Sequence, residues 1–200
     1  MKIKRFVGGN LAANGYVIYQ RDGGACYIID PGYSPKKFIK YIGEHQLAAS
    51  GILLTHLHYD HTDGAEAVSQ ALDCPILMHE ADAFVYKGRV DTHLHDGDLL
   101  DLDGETLRVI HTPGHTKGGV CIMAEKSRVC FTGDTLFDTD LGRSDLDGGS
   151  EDDMRDTVCR ILDRWENDIV IYPGHDDGCT MKKVRQYNTE FLALLAGRER

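Results

Sequence analysis

The ten residues "THLHYDHTDG", 55–64, contain three histidines and two aspartates and directly follow the apolar run "GILL". A short apolar run predicts a buried strand, so these polar residues fall where the strand ends. Residues two apart in an extended segment share a face, so His56, His58 and Asp60 can point together while the following turn brings His61 alongside. Imidazoles and carboxylates are common metal ligands, and the stretch therefore predicts a metal site.

Three later segments carry the same kinds of donor atom, each after an apolar strand and a glycine that lets backbones approach closely. They are "HTPGHT" with His115, "FTGDT" with Asp134 and "YPGHDD" with His175. With the first stretch they supply seven nitrogen and oxygen donors, more than one tetrahedral zinc ion uses. Two ions sharing a bridging carboxylate would use them all, so the sequence favours a binuclear site.

Composition narrows the class of protein. The 200 residues suit a single domain over 1–200. The 22 basic and 32 acidic residues give a formal charge of −10, which disfavours nucleic acid and membrane partners. No signal peptide or membrane span is expected. The six cysteines are scattered singly, which indicates a reducing compartment. We therefore expect a cytoplasmic protein with a small-molecule substrate; the oligomeric state is left open.

The order of the elements predicts the architecture. Apolar runs such as "GYVIYQ" and "ACYIID" predict a hairpin, and Ser34 is expected to cap a helix that begins at Pro35. The second half repeats this outline, with a helix over 150–165 that Ser150 is expected to cap and a closing helix over 180–196 that Thr180 is expected to cap. Two groups of strands with flanking helices predict an α+β fold of two sheets packed face to face, with the helices outside. The long loop 136–149 is of the kind that is commonly functional.

The motifs "THLHYDH", "HTPGHT", "FTGDT" and "YPGH", in this order over nearly the whole chain, resemble those of the metallo-β-lactamase superfamily. They are most similar to those of its glyoxalase II-type, or hydroxyacylglutathione hydrolase-like, members, and "IDPG" and "NGY" at 14–16 also fit. The resemblance implies a four-layer αββα sandwich of two mixed sheets, with the metals at the sheet edge. It also implies roles: His56, His58 and His115 hold the first metal, Asp60, His61 and His175 hold the second, Asp134 bridges them, and Asp30 orients ligands from behind.

Other members of the superfamily can be compared by single residues. True metallo-β-lactamases carry a cysteine where Asp134 stands, which argues against lactam hydrolysis. Diiron flavoproteins carry a glutamate in place of the second histidine of the motif, which His58 argues against. Persulfide dioxygenases keep these histidines but hold one iron, here through His56, His115 and Asp134. The segment "GRSDLDGGS" resembles a stretch found in both the dioxygenases and small glyoxalase II-like proteins, so it does not separate them.

The ligand types leave the metal and the substrate partly open. Zinc, two ions per chain, is expected, with iron or manganese as alternatives because no thiolate is among the ligands. Full glyoxalase II enzymes continue into a helical domain that helps grip glutathione, whereas this sequence ends 25 residues after His175, so glutathione recognition is not implied. Arg143 and Lys182 are candidates to meet a substrate carboxylate, although for Lys182 a solvated helix face is the stronger interpretation.

The net charge of the expected metal centre indicates which reaction it can perform. Two divalent ions, two carboxylates and a bridging hydroxide leave a net positive centre, which lowers the pKa of bound water to about 7. We expect that hydroxide to attack an acyl carbonyl, with Asp60 as the catalytic residue that accepts the remaining proton. A thiol of pKa about 8.5 can depart as a thiolate, which favours thioesters over amides. The expected function is a binuclear metal-dependent thioesterase; the alternatives are a mononuclear-iron persulfide dioxygenase and a metal-binding protein without turnover.

Overall fold

Twelve strands within residues 1–197, the part of the chain that the computed structural model describes, form two six-stranded sheets. The last three residues of the expected domain, 198–200, lie outside the described residues. The first sheet contains β1 (Lys2–Gly8), β2 (Ala13–Tyr19), β3 (Ala25–Ile29), β4 (Ala48–Leu54), β5 (Ile76–His79) and β6 (Thr92–Leu94), in that order. The second contains β7 (Leu99–Leu102), β8 (Glu105–His111), β9 (Val120–Ala124), β10 (Val129–Gly133), β11 (Val170–Pro173) and β12 (Cys179–Thr180).

Both sheets are mixed. The first is antiparallel from β1 to β3 and parallel from β3 to β6, and the second is antiparallel except for the parallel pair β10 and β11. Parallel neighbours require crossover connections, and helices occupy several of them. The helices are α1 (Pro35–Glu44), α2 (Tyr59–Thr62), α3 (Ala65–Leu72), α4 (Glu80–Ala83), α5 (Glu151–Arg160), α6 (Met181–Tyr187) and α7 (Thr189–Ala196), with a 3₁₀ turn at Leu162–Arg164.

Three apolar layers hold four layers of structure together. Tyr16 and Leu53 of the first sheet pack with Phe131 of the second in the layer between the sheets. A second layer lies between the first sheet and α1 and α3, and a third lies between the second sheet and α5, α6 and α7. This arrangement confirms the predicted αββα sandwich, an α+β fold with two mixed sheets face to face and helices outside.

The helix ends differ from the predictions in three places. Ser34 precedes α1 with φ 54° and makes no side-chain cap, because a capping residue needs an extended backbone. The helix after Ser150 ends at Arg160 and continues only as a 3₁₀ turn. The closing helix is two helices, since buried Asn188 caps α7 and donates its amide to the carbonyls of Phe137 and Asp140. The predicted caps Ser150 and Thr180 are confirmed.

The carboxyl ends of several strands meet at one edge of the sandwich. Asp30 follows β3 and His56 follows β4, both in the first sheet. In the second sheet Asp134 follows β10 directly, and His175 comes two residues after β11. The fold therefore brings the predicted ligand segments to a common edge. None of the helices within residues 1–197 has the length and apolar character needed to cross a bilayer.

Candidate metal centre

Three imidazoles from two loops converge on one point. His56 and His58 follow β4, and His115 lies in the loop between β8 and β9. Nε2 of His115 lies 2.8 Å from Nδ1 of His58, and one nitrogen from each of the three rings lies within 4.8 Å of the others. Three neutral imidazoles at this spacing can hold a divalent cation. We call them the first metal site.

A second cluster lies beside the first. Nε2 of His61 is 3.4 Å from Oδ2 of Asp60 and 3.3 Å from Nε2 of His175. Nε2 of His175 is in turn 3.3 Å from Oδ2 of Asp60. Two imidazoles and a carboxylate with all their donor atoms turned to one point can also hold a divalent cation. We call these three residues the second metal site.

The carboxylate of Asp134 faces both clusters. Its Oδ2 lies 3.6 Å from Nε2 of His115 and 3.9 Å from Nε2 of His56. Its Oδ1 lies 3.4 Å from Nε2 of His61. Its Oδ2 also lies 3.4 Å from Nε2 of His175, so this carboxylate is within reach of both sets and can bridge two ions.

Two buried atoms at this point need a ligand. Nε2 of His56 and Oδ1 of Asp134 are shielded from solvent and have no hydrogen-bond partner within residues 1–197. A buried polar atom without a partner is destabilising unless something bound there satisfies it. The donor set therefore fits two metal ions.

The outer nitrogens of the ligand rings are held by the protein, which fixes their tautomers. Nδ1 of His115 donates to the Arg143 carbonyl at 2.7 Å, and Nδ1 of His175 donates to the Leu11 carbonyl at 3.0 Å. With the proton on Nδ1, each Nε2 presents its lone pair to the centre. These two rings are thus oriented for metal binding by backbone carbonyls alone.

Asp30 lies behind two of the remaining three rings, those of His56 and His61. Its carboxylate accepts the Thr55 N–H at 2.8 Å and the Thr55 hydroxyl at 2.6 Å. Because that hydroxyl proton is committed, Thr55 Oγ1 accepts from Nδ1 of His56, 3.0 Å away. Oδ2 of Asp30 also lies 3.2 Å from Nδ1 of His61. The structure places this buried carboxylate behind one ligand of each site, where it can orient both.

The segment that carries His175 is held by a residue at the start of β2. The Asn14 side-chain amide donates to the carbonyls of Pro173 and Asp176 at 2.9 and 2.8 Å. The backbone approach there is close, because a Cβ on Gly174 would lie 2.1 Å from Oδ1 of Asp134. The "NGY" and "YPGH" motifs therefore meet in space, and glycine is required before His175.

The ionisable groups of the centre are shifted in opposite directions. Burial and the neighbouring His115 lower the pKa of His58 to about 4, whereas hydrogen bonds with Asp134 and Asp60 raise the pKa of His175 to about 10. Burial raises the pKa of Asp60, but hydrogen bonds from His175 and His61 outweigh it and hold that pKa below its usual range. The carboxylates are therefore ionised, as metal ligation needs, and His175 gives up its Nε2 proton when an ion binds.

The two predicted substrate-binding residues lie in different places. Arg143 is next to the centre through its backbone, but its exposed guanidinium is engaged by the carboxylate of Asp145 at 2.7 and 2.8 Å. Lys182 is not brought to the centre: its backbone N–H donates to Asn167, before β11 begins, whereas the centre lies beyond the other end of that strand. A role for Arg143 stays a prediction.

Sequence reasoning did not identify Thr55 or the Leu11 carbonyl as parts of the centre. Thr55 is the first residue of the motif stretch, so its position beside His56 was the available signal. A backbone carbonyl has no sequence signal at all. Among the remaining histidines, His79 and His111 stack on each other with ring centroids 4.1 Å apart.

Comparisons with known proteins agree with this geometry. The family profile described as "Metallo-beta-lactamase superfamily" matches residues 8–175. The chain is 36% identical to an uncharacterized protein of Mycobacterium leprae, over 94% of this chain and 97% of that one. It is 35% identical to the probable polyketide biosynthesis zinc-dependent hydrolase BaeB of Bacillus velezensis, over 82% and 72% of the two chains. It is 31% identical to the hydroxyacylglutathione hydrolase GloC of Haemophilus influenzae, over 80% and 84%.

Solved structures share the fold over most of their length. The crystal structure of the BLEG-1 B3 metallo-beta-lactamase superposes with a TM-score of 0.84 at 28% identity, covering 94% of this chain and 98% of that one. The crystal structure of TTHA1623 in a di-iron-bound form superposes with a TM-score of 0.81 at 28% identity, covering 93% and 98%. The fold thus occurs both in a protein named as a metallo-beta-lactamase and in a protein with two bound iron ions.

Proposed function

The chain belongs to the metallo-β-lactamase superfamily, and from this premise we propose that it is a metal-dependent hydrolase that binds two ions per chain and cleaves thioesters. One observation carries the proposal: the carboxylate of Asp134 lies 3.6 Å from Nε2 of His115 in one set of ligands and 3.4 Å from Nε2 of both His61 and His175 in the other. Relatives named as a zinc-dependent hydrolase and as a hydroxyacylglutathione hydrolase support it. The cytoplasmic location stays a prediction.

The two sites divide the donor atoms between them. His56, His58 and His115 would hold one ion, and Asp60, His61 and His175 the other, with Asp134 shared. When bound, the ions supply a nucleophile from water at neutral pH and polarise the carbonyl of the substrate. Zinc is the metal we propose; the di-iron form of TTHA1623 makes iron the alternative to be measured.

The ligand side chains also determine how protons move. Asp60 is the proposed acceptor of the proton released during attack, since its carboxylate is ionised and lies among the reacting groups. The outer N–H groups of His56, His115 and His175 are already donated to Thr55 and to backbone carbonyls. Once an ion holds the Nε2 of each of these rings, they have no proton to give to a departing group.

Because these ring protons are not available to a leaving group, they limit the class of substrate that the centre can cleave. An amine must be protonated to leave, whereas a thiol of pKa about 8.5 can leave as a thiolate. A centre whose ring protons are engaged therefore favours thioesters. Arg143, on the loop beside His115, is the candidate partner for a carboxylate on the substrate, once released from Asp145.

The test is a substrate panel with protein loaded separately with zinc and with iron. We expect acyl thioesters to be cleaved fastest, esters more slowly, and amides and a β-lactam slowest. The β-lactam is included because of the likeness to BLEG-1. Faster cleavage of the amide or β-lactam than of every thioester would refute the substrate class.

Metal content separates the other functions. Protein purified without added metal should contain two ions per chain. One iron per chain together with oxygen uptake on glutathione persulfide would identify a dioxygenase. Two bound ions without turnover on any compound of the panel would identify a metal-binding protein.

A further inference from the structure

A further buried carboxylate, that of Asp82, lies near the first metal site and makes no hydrogen bond to a ligand side chain within residues 1–197. Asp82, in the short helix α4, has no exposed surface. Its Oδ1 accepts the backbone N–H of Gly118 at 2.6 Å, and its Oδ2 accepts the hydroxyl of Thr116 at 2.8 Å. The backbone N–H of Leu57 also faces this carboxylate and lowers its pKa, although burial raises that pKa overall. All three groups belong to the loops that carry metal ligands.

Those loops come from different sheets. Leu57 lies between His56 and His58, in the segment that follows β4 of the first sheet. Thr116 is adjacent to His115, in the loop between β8 and β9 of the second sheet. Asp82 thus joins the two backbones that together carry the three imidazoles of the first metal site.

The backbone of Gly118 lies closer to Asp82 than ordinary side-chain packing would allow. A Cβ built on Gly118 would lie 2.5 Å from the Asp82 backbone nitrogen and 2.7 Å from its Cβ and Cγ. Such distances admit only glycine, so the loop has been brought against α4 as tightly as backbone allows. Burial raises the pKa of Asp82, which means that its charge is held there against a desolvation penalty.

Asp82 complements Asp30 in its location. Asp30 fixes His56 and His61 through Thr55 and by direct contact. Asp82 lies between the backbone of the His56–His58 segment and the backbone of the loop that carries His115, and it contacts both. The rings of His58 and His115 approach each other to 2.8 Å.

We propose that Asp82 is a positioning residue of the first metal site: it sets the separation of the His56–His58 segment from the His115 loop, and thereby the geometry of the three-imidazole cluster. The inference rests on the proposed metal-dependent function, because it assigns Asp82 a role toward an ion held by these rings. Asp82 contacts no substrate and is not a catalytic residue.

The chain offers a matched control for a role in stability alone. Glu105 is also a buried carboxylate, and it accepts the backbone N–H groups of Lys126 and Ser127 and the Ser127 hydroxyl. Its partners lie in the turn between β9 and β10, at the end of the second sheet away from the metal centre. Glu105→Gln therefore disturbs a similar set of hydrogen bonds without affecting the ligand loops.

The experiment compares wild type with Asp82→Ala, Asp82→Asn, Thr116→Val and Glu105→Gln. Zn²⁺ affinity is measured by competition with a chelator, Co²⁺ absorption reports ligand geometry, and urea unfolding of the metal-free proteins reports stability. Reference variants His58→Ala and His175→Ala assign the spectra to the first and second sites. Thr116→Val is nearly isosteric and removes only the hydrogen bond from the Thr116 hydroxyl to Asp82, so it tests the same contact if Asp82→Ala does not fold.

Asp82→Ala should weaken binding at the first site by about 10–100-fold, the range for residues that orient ligands, and change its Co²⁺ spectrum. Thr116→Val should shift both in the same direction but less. Asp82→Asn should lie between wild type and Asp82→Ala, because an amide oxygen can still accept from Gly118. Glu105→Gln should lower the urea midpoint and leave the affinity and spectrum unchanged.

The inference is overturned if Asp82→Ala and Thr116→Val bind both ions with wild-type affinity and spectrum, even where their urea midpoints fall as in Glu105→Gln. Failure of the proposed function looks different. In that case the wild-type protein itself binds no Zn²⁺ or Co²⁺, which refutes the metal centre and the positioning role together.

Discussion

Nε2 of His115 and Nδ1 of His58 lie 2.8 Å apart, although 57 residues separate them in the sequence. Because Nδ1 of His115 donates to the Arg143 carbonyl, its Nε2 carries a lone pair. The two ring nitrogens can approach this closely only by sharing a proton or by binding a common cation. Burial and His115 lower the pKa of His58 to about 4, so at neutral pH this ring is neutral, and its Nδ1 can bind the cation in the tautomer that carries the proton on Nε2.

Replacing the shared carboxylate tests whether the two sites form one centre. Asp134→Ala should remove both ions and reduce turnover by more than about 100-fold, since loss of a ligand exceeds the effect of residues that only orient ligands. Metal content per chain and turnover on a thioester measure the two effects. Asp138→Ala is the control, because Asp138 is an acid four residues later that pairs with Lys183. Retention of two ions by Asp134→Ala would contradict the bridging assignment.

Asp30→Asn tests the carboxylate behind the ligands. Asparagine tolerates the positive φ of 48° at this position, so the substitution removes charge and one acceptor without straining the backbone. We expect metal affinity to fall by about 10–100-fold, measured by chelator competition. Asp103→Asn is the control, since Asp103 has φ 50° and accepts the Ala25 N–H far from the centre. Equal losses of affinity in the two variants would show a general effect of the substitution.

The positions of the strand ends were predictable, and the contacts between loops were not. Apolar runs ending in His56, Asp134 and His175 follow from strand periodicity, and carboxyl ends of neighbouring strands meet at one edge. The break at Asn188 depends on carbonyls of a distant loop, which no local pattern reveals. Lys182 lies at the start of α6, beyond the end of β11 that is away from the centre, because packing sets the position of that helix.

The two hydrogen bonds from Asn14 to the segment that carries His175 give a prediction for the second metal site alone. Asn14→Asp keeps the shape of the side chain but replaces its two donated hydrogen bonds, to Pro173 and Asp176, with repulsion between oxygens. The second ion should bind about 10-fold more weakly or worse, while the first is retained. Chelator competition with one and two equivalents of Zn²⁺ distinguishes the two ions. Asn10→Asp adds the same charge on the exposed neighbouring loop and should leave both affinities unchanged.

The stacked pair of His79 and His111 gives a prediction about acid stability. Burial and the neighbouring His111 lower the pKa of His79 to about 4, although Glu80 and Asp96 oppose this shift. His79 also accepts the backbone N–H of Ala81 at the start of α4. A neutral imidazole is therefore part of the folded state beside the helix that carries Asp82.

The direction in which pH changes the stability follows from the order of the pKa values of His79 in the folded and unfolded states. In the unfolded chain a histidine titrates near about 6.5, above the folded value of about 4, so between these values the unfolded state binds more protons. The contribution of His79 to stability is then complete above about pH 6.5 and is lost as the pH falls toward 4.

His79→Asn keeps an acceptor for Ala81 and removes the titration. Wild type should lose on the order of 1–2 kcal/mol more than this variant between neutral pH and pH 4, by urea unfolding. His93→Asn, an exposed histidine on β6, should follow wild type, and parallel pH profiles for wild type and His79→Asn would refute the assignment.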